Sequence, residues 1–300
     1  MTAEPIIFVR FASFAVLLLL FGLALYGRGL SLRLPSPVLA ISGLLLAGLE
    51  LGVMAASMSG VPLAQVERTS IDLLLNATTV GLAIKVRLAV LALIVVFVAL
   101  RMGSGQLQRG IVSLLGGTAI ATLAWSGHAA ATEGTLGLVH RGADILHLLA
   151  AGAWLGAILA LGWRMVRVGR PGASSDELRS AHRALADFSV AGTVIVGLIV
   201  VTGVTNSLML IPPSQLPALP ASLYGQLLIV KIALFILMLT LASANRFRLT
   251  PDLKSAVDSP SQAEAVAALR RSLAIEGGAA LGILALVAWL GTLSPPMAGS

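Results

Sequence analysis

Long apolar runs separated by short polar turns dominate the chain. Eight of them, about residues 6–27, 37–59, 77–100, 110–131, 139–163, 184–211, 223–246 and 273–293, reach the length needed to cross a membrane. A helix rises ~1.5 Å per residue, so about 20 apolar residues span a hydrocarbon core of roughly 30 Å. Lipid offers no partner to a backbone N–H or C=O, so each run must satisfy its own hydrogen bonds as a helix. The pattern predicts an all-α, polytopic transmembrane bundle of about eight spans, forming a single integral membrane domain over residues 1–300. Pro35 and Pro37 separate the first two spans, Gly103 to Gly105 turn the chain after the third, and Pro212, Pro213, Pro217 and Pro220 stiffen the loop after the sixth. The longest polar stretch, Arg248 to Arg271, has room for a short surface helix around Ala263–Leu269.

Composition agrees. The 300 residues are 57% hydrophobic and 11% charged, against about 25% charged in soluble domains. The net charge of +7 does not point to nucleic acid, because the basic residues sit in short loops. The turns after spans one, three, five and seven hold fourteen of the twenty: Arg28, Arg33, Arg101, Arg109, Arg164, Arg167, Arg170, Arg179, Arg183, Arg246, Arg248, Lys254, Arg270 and Arg271. Basic loops stay in the cytoplasm, so the opposite loops and both termini are expected on the outer side of the membrane. The N-terminal Met1–Pro5 carries Glu4 and no basic residue, so the first run reads as a retained span rather than a secretory signal. Cysteine is absent, which leaves Met and His as ligands for any soft metal. No phosphate-binding loop, nucleophile elbow or dinucleotide fingerprint occurs, so the sequence holds no ATP site and no enzyme signature.

The chemistry lies in the polar positions inside the spans, which are costly there and normally face the bundle interior. Counted along the helical rise, Glu50, Lys85, Arg87, His147 and Lys231 all fall roughly 12–15 Å below the outer surface, on four helices. Glu50 is expected to pair with Lys85 or Arg87. Lys231, with no second acid at its depth, is expected to line a hydrated cavity or to bind backbone carbonyls. In span five His140, Asp144 and His147 follow at i, i+4, i+7 and share one face, and His128, at the end of span four, is joined to them by a short loop. Met54 and Met58 sit one and two turns above Glu50, and Asn206 and Met209 close span six. Thioether and imidazole suit Cu(I), and imidazole suits Cu(II). These residues form the candidate metal set: His128, His140, Asp144, His147, Met54 and Met58, with Asn206 and Met209 secondary. A single Met or His in a span is as readily a packing residue. Gly152 and Gly156 are a small-xxx-small packing pair, and Glu276 is expected to pair with Arg246 or Arg271.

Four elements resemble the copper resistance protein D family (CopD/PcoD). They are His147-Leu-Leu-Ala-Ala-Gly-Ala-Trp154-Leu-Gly156, Phe188 through Thr202-Gly-Val-Thr-Asn206, Tyr224-Gly-Gln-Leu-Leu-Ile-Val-Lys231 with Asn245-Arg246-Phe247, and Arg270-Arg-Ser-Leu-Ala-Ile-Glu276 running to Pro295-Pro296. The resemblance covers about residues 125–297. It implies an inner-membrane protein that moves a copper ion, Cu(I) or Cu(II), in copper import, homeostasis and resistance, with membrane lipid as its surroundings. It also implies a separate periplasmic carrier of the CopC type as donor. A haem-binding electron-transfer protein is the alternative, since two His on adjacent helices can serve as axial ligands.

Overall fold

A computed structural model describes residues 4–27, 35–100, 102, 105–127, 134–170, 173–257 and 259–294. Among them are ten α-helices and no strand: α1 Glu4–Tyr26, α2 Pro35–Ser59, α3 Arg68–Ala77, α4 Thr79–Ala99, α5 Gly105–Ala121, α6 Gly134–Val168, α7 Ser175–Leu210, α8 Leu223–Ala244, α9 Thr250–Ser255 and α10 Gln262–Leu290. Eight are long and apolar enough to cross a membrane; α3 and α9 are not.

Local chemistry sets the boundaries. Pro35 and Pro37 stand in the first turn of α2, where a missing N–H costs nothing. Thr78 and Ser222 cap α4 and α8, accepting from Gly81 N at 2.9 Å and Gly225 N at 3.0 Å. Ser174 and Glu177 form a reciprocal capping box on α7. The proline-rich loop winds into a 3₁₀ run, Pro213–Ala221. At its far end α8 passes through a π-helical segment, Asn245–Leu249, into α9. The expected surface helix around Ala263–Leu269 is instead the first part of α10, which runs unbroken into the bundle. The short α3 lies between the second and third of the expected spans.

The bundle has two halves joined at α1, which packs against α2 and α5 on one side and α6 and α10 on the other. The α1–α6 seam is close because both helices are bare there: a Cβ on Gly22 would stand 2.7 Å from the Cα of Gly156. Leu17, Leu18, Leu91, Ile94, Val112 and Ile120 form the core of the first half. At the arginine-rich end the long helices α6 and α7 extend past the apolar belt. There Met165, Leu178, Leu253 and Leu269 build a second core with α9 and α10. In the second half α7 packs on α6 and α8 packs on α10, but α7 and α8 share no extended contact. The cleft between them is bridged at the basic end by α9 and the π segment.

Candidate functional site

The periodicity of α6 places His140, Asp144 and His147 along one stripe, and all three line a cavity of about 180 Å³ at the end opposite the basic loops. Neighbouring helices complete it: Arg10 from α1, Asn206 from α7, Tyr224 and Lys231 from α8. His140 is 2% exposed. Nδ1 of His147 lies 3.0 Å from Oγ1 of Thr202, whose single hydroxyl proton goes to the Leu198 carbonyl at 2.5 Å. The imidazole is therefore the donor through Nδ1–H, with the Ile199 carbonyl as a further acceptor. That network assigns the tautomer and leaves Nε2 with a free lone pair, the arrangement that orients a metal-binding histidine. Asp144 sits in the electrostatic field of both Lys231 and Arg10. Asn206 Oδ1 is buried without a hydrogen-bond partner among the described residues.

Arg10 was visible in the sequence only as a charge within a span. Here its Nη1 donates to the Ser126 carbonyl at 3.2 Å and its guanidinium packs against the bare Cα of Gly291. It stands between Asp144 on one side and Glu50 and Arg87 on the other. Tyr224, Thr202 and Arg10 are the site residues that sequence reasoning passed over. For Arg10 the signal was a charge in an apolar run; for Thr202 it was membership of the Thr202–Asn206 motif.

The remaining candidates go elsewhere. His128 lies outside the described residues. Met54 is half-buried and Met58 is 60% exposed, both on α2. Because α1 stands between α2 and α6, neither methionine reaches the cavity. Met209 is half-buried and is not among the cavity's lining. The expected single polar layer divides in two. Arg87 donates through Nη1 to Glu50 Oε2 at 2.5 Å and through Nε to Thr122 Oγ1 at 2.8 Å, closing a buried ion pair within the first half. Lys85 is exposed and donates to Asn76 Oδ1 at 3.3 Å. Residues two apart on a helix point in different directions, so Lys85 and Arg87 could not both face Glu50. Among the described residues, no three His, Asp or Glu side chains gather closely enough to hold a metal ion. The cavity thus presents His140, Asp144 and His147 in series along α6.

Two further cavities continue the cleft toward the basic end. One of about 380 Å³ is mostly apolar and shares His147 and Lys231 with the first. The next, of about 200 Å³, shares Trp154 with the second and reaches Asn245, Arg246 and Glu276. Glu276 does not pair with an arginine as expected: Asn245 Nδ2 donates to its Oε1 at 2.5 Å, and the Trp154 indole is a second donor. Arg246 turns instead to Thr193 and to the Ser189 carbonyl.

Two family profiles match the chain. One described as "Copper resistance protein D" covers residues 182–290, and one described as "Copper resistance protein D-like, N-terminal domain" covers residues 1–138. The chain is 42% identical to "Copper resistance protein D" of Pseudomonas syringae pv. tomato, over 96% of each protein. It is 30% identical to "Inner membrane protein YebZ" of Escherichia coli (strain K12), over 86% of this chain and 89% of that one. A 128-residue stretch, 41% of this chain, is 34% identical to 21% of "Copper transport protein CutJ" of Bacillus subtilis (strain 168). No solved structure matches the chain.

Proposed function

Since the chain belongs to the copper resistance protein D family, we propose that it is a multi-pass inner-membrane protein that carries copper from the periplasm toward the cytoplasm. The observation that carries the reading is His147: its Nδ1–H is engaged by Thr202, its Nε2 has no hydrogen-bond partner among the described residues, and it lines both the outer cavity and the next one inward. Imidazole is a ligand for both Cu(I) and Cu(II). The positive-inside rule puts the arginine-rich end in the cytoplasm, which places the His140–Asp144–His147 stripe, the loop bearing His128 and both termini on the periplasmic side. A periplasmic carrier of the CopC type is the proposed donor.

The mechanism follows from the spacing. His140 and His147 are two helical turns apart, roughly 10 Å along the axis, so they serve as successive stations rather than one closed chelate. Arg10 and Lys231 oppose a bare cation and Asp144 offsets part of that repulsion. A cargo held by few ligands, against a partly repulsive field, binds briefly and moves on, as a pathway requires. The cationic lining disfavours a simple open pore and favours passage by rearrangement around the cleft between α7 and α8. The haem alternative needs two imidazoles facing each other across the ring, whereas His140 and His147 project from the same side of α6.

The test is copper uptake by purified protein in proteoliposomes. His147→Ala and His140→Ala should each lower the rate at least tenfold; unchanged uptake in both would remove the site assignment. A Soret band in the purified protein would turn the reading to haem.

A further inference from the structure

The inner end of the cleft has a chemistry of its own. Glu276 is 2% exposed on α10, within the segment assigned to the membrane. Glu276 belongs to neither the Arg87–Glu50 nor the Arg179–Asp176 ion pair. Asn245 and Trp154 both donate to it. Asn245 is 8% exposed, lines the same cavity, and its Oδ1 is buried with no partner among the described residues. It is also the first residue of the π segment, a helix irregularity that occurs preferentially at functional sites.

A primary amide presents a donor and an acceptor side by side. A carboxylate can use the donor but not the acceptor. A carboxylic acid uses both, taking N–H on its carbonyl oxygen and giving its O–H to the amide oxygen. The orphaned Oδ1 next to a carboxyl is thus the complement of one added proton. The cavity offers no imidazole or thioether, the ligands copper prefers. Helix α6 presents Trp154 and Ile158, α7 presents Ser189 and Thr193, α9 presents Thr250, and the π segment presents Arg246. From α1, Tyr26 turns its ring edge-on to Phe188. Arg246 is the charged neighbour in that lining, and its guanidinium is occupied by Thr193 and Ser189.

We propose that Glu276 is a reversible proton-binding site on the cytoplasmic half of the transport path, with Asn245 as the partner that recognises the protonated form and Trp154 as the wall between this site and the metal stations. The inference rests on the transport reading for its coupling role. One proton, passing the Trp154 wall from the periplasmic side as the cleft rearranges, binds a Glu276 carboxylate oxygen. The acid then closes its second hydrogen bond on Asn245 Oδ1. Loss of that proton to the cytoplasm breaks this bond and frees the π segment, so that cargo release and proton exchange are linked.

Two measurements on the full chain test it. In the first, infrared difference spectra of the protein in lipid vesicles are recorded across a pH titration. A carbonyl stretch from a protonated carboxyl should appear in the wild type, vanish in Glu276→Gln and shift in Asn245→Leu, which loses both amide contacts. A spectrum identical in all three overturns the proposal, and Asn245→Leu decides it if Glu276→Gln does not fold. In the second, proteoliposomes loaded with a pH-sensitive dye are given copper. Wild type should move protons with the metal, and Glu276→Gln should lose at least tenfold of that movement while still binding copper from the periplasmic side. Copper uptake without proton movement in the wild type overturns the coupling and leaves the transport reading intact. Absence of copper uptake overturns the transport reading, and the infrared result then judges the proton site by itself.

Discussion

Removing Arg87 alone should be far more damaging than removing Arg87 and Glu50 together. The two side chains are 1% and 9% exposed and meet at 2.5 Å, and Arg87 also holds Thr122 at 2.8 Å. An Arg87→Met variant leaves a carboxylate in a membrane interior with no cation bonded to it. Breaking one side of a buried pair costs about 3–5 kcal/mol, with a further ~1 kcal/mol for the Thr122 bond. Together these correspond to a shift of roughly a thousandfold to twenty-thousandfold in the folding equilibrium. Glu50→Leu should cost a similar amount, because it leaves Arg87 uncompensated in the field of Arg10. The double variant Glu50→Leu/Arg87→Met removes both charges, substitutes apolar groups of similar volume, and should fold within about 1–2 kcal/mol of wild type. Reversible unfolding in mixed micelles measures the three stabilities. Copper uptake measures whether the pair does more than hold α2 to α4. Uptake by the double variant should match wild type, since α1 separates this pair from the outer cavity. A double variant as unstable as the singles, or one that folds but no longer takes up copper, refutes the reasoning.

Two other outcomes follow from particular contacts. Thr202→Val removes the hydroxyl that orients His147 but leaves the Ile199 carbonyl as an acceptor; copper affinity should fall about tenfold, the lower end for loss of a ligand-orienting contact, as read by equilibrium binding in detergent. Gly156→Ala puts a methyl group into the Gly22 backbone and must part α1 from α6, costing at least the 1–3 kcal/mol of an overpacked core, whereas Gly162→Ala, with nothing within 4 Å, should be neutral or slightly stabilising by thermal unfolding.

What could be read from the sequence, and what could not, follows from which distances are local. Eight spans were legible because the membrane imposes length and backbone satisfaction on each segment independently. The His140–Asp144–His147 stripe was legible because it belongs to one helix. Depth along the membrane normal was also legible, and it grouped Glu50, Lys85, Arg87, His147 and Lys231. Depth says nothing of azimuth or of which helix stands between two others, so the group divided across α1 and Lys85 turned away. The same blindness drew Met54 and Met58 toward imidazoles that α1 screens from them. At Glu276 the error was one of register. Arg246 lay at a suitable depth, but the π segment starting at Asn245 changes the turn, and the amide rather than the guanidinium meets the carboxyl.

The two halves differ in how their polar groups are used, and the difference bears on which part can move. In the first half the buried charges Glu50 and Arg87 are bonded to each other, and the helices carrying them share a continuous aliphatic core with α1. In the second half His147, Asn206, Lys231, Asn245 and Glu276 open onto a succession of cavities, and two of their amide oxygens lack partners among the described residues. Buried polar groups left open in this way are unfavourable in a static structure and favourable where another arrangement, or a bound ion, completes them. The packing permits such an arrangement. Because α7 is carried by α6, and α8 by α10, the two helices flanking the cavities can shift relative to each other without separating any residue of the first core. Displacement of α7 against α8, hinged at the basic end where α9 and the π segment bridge them, would alter the outer cavity, the Trp154 wall and the Asn245–Glu276 contact in one motion.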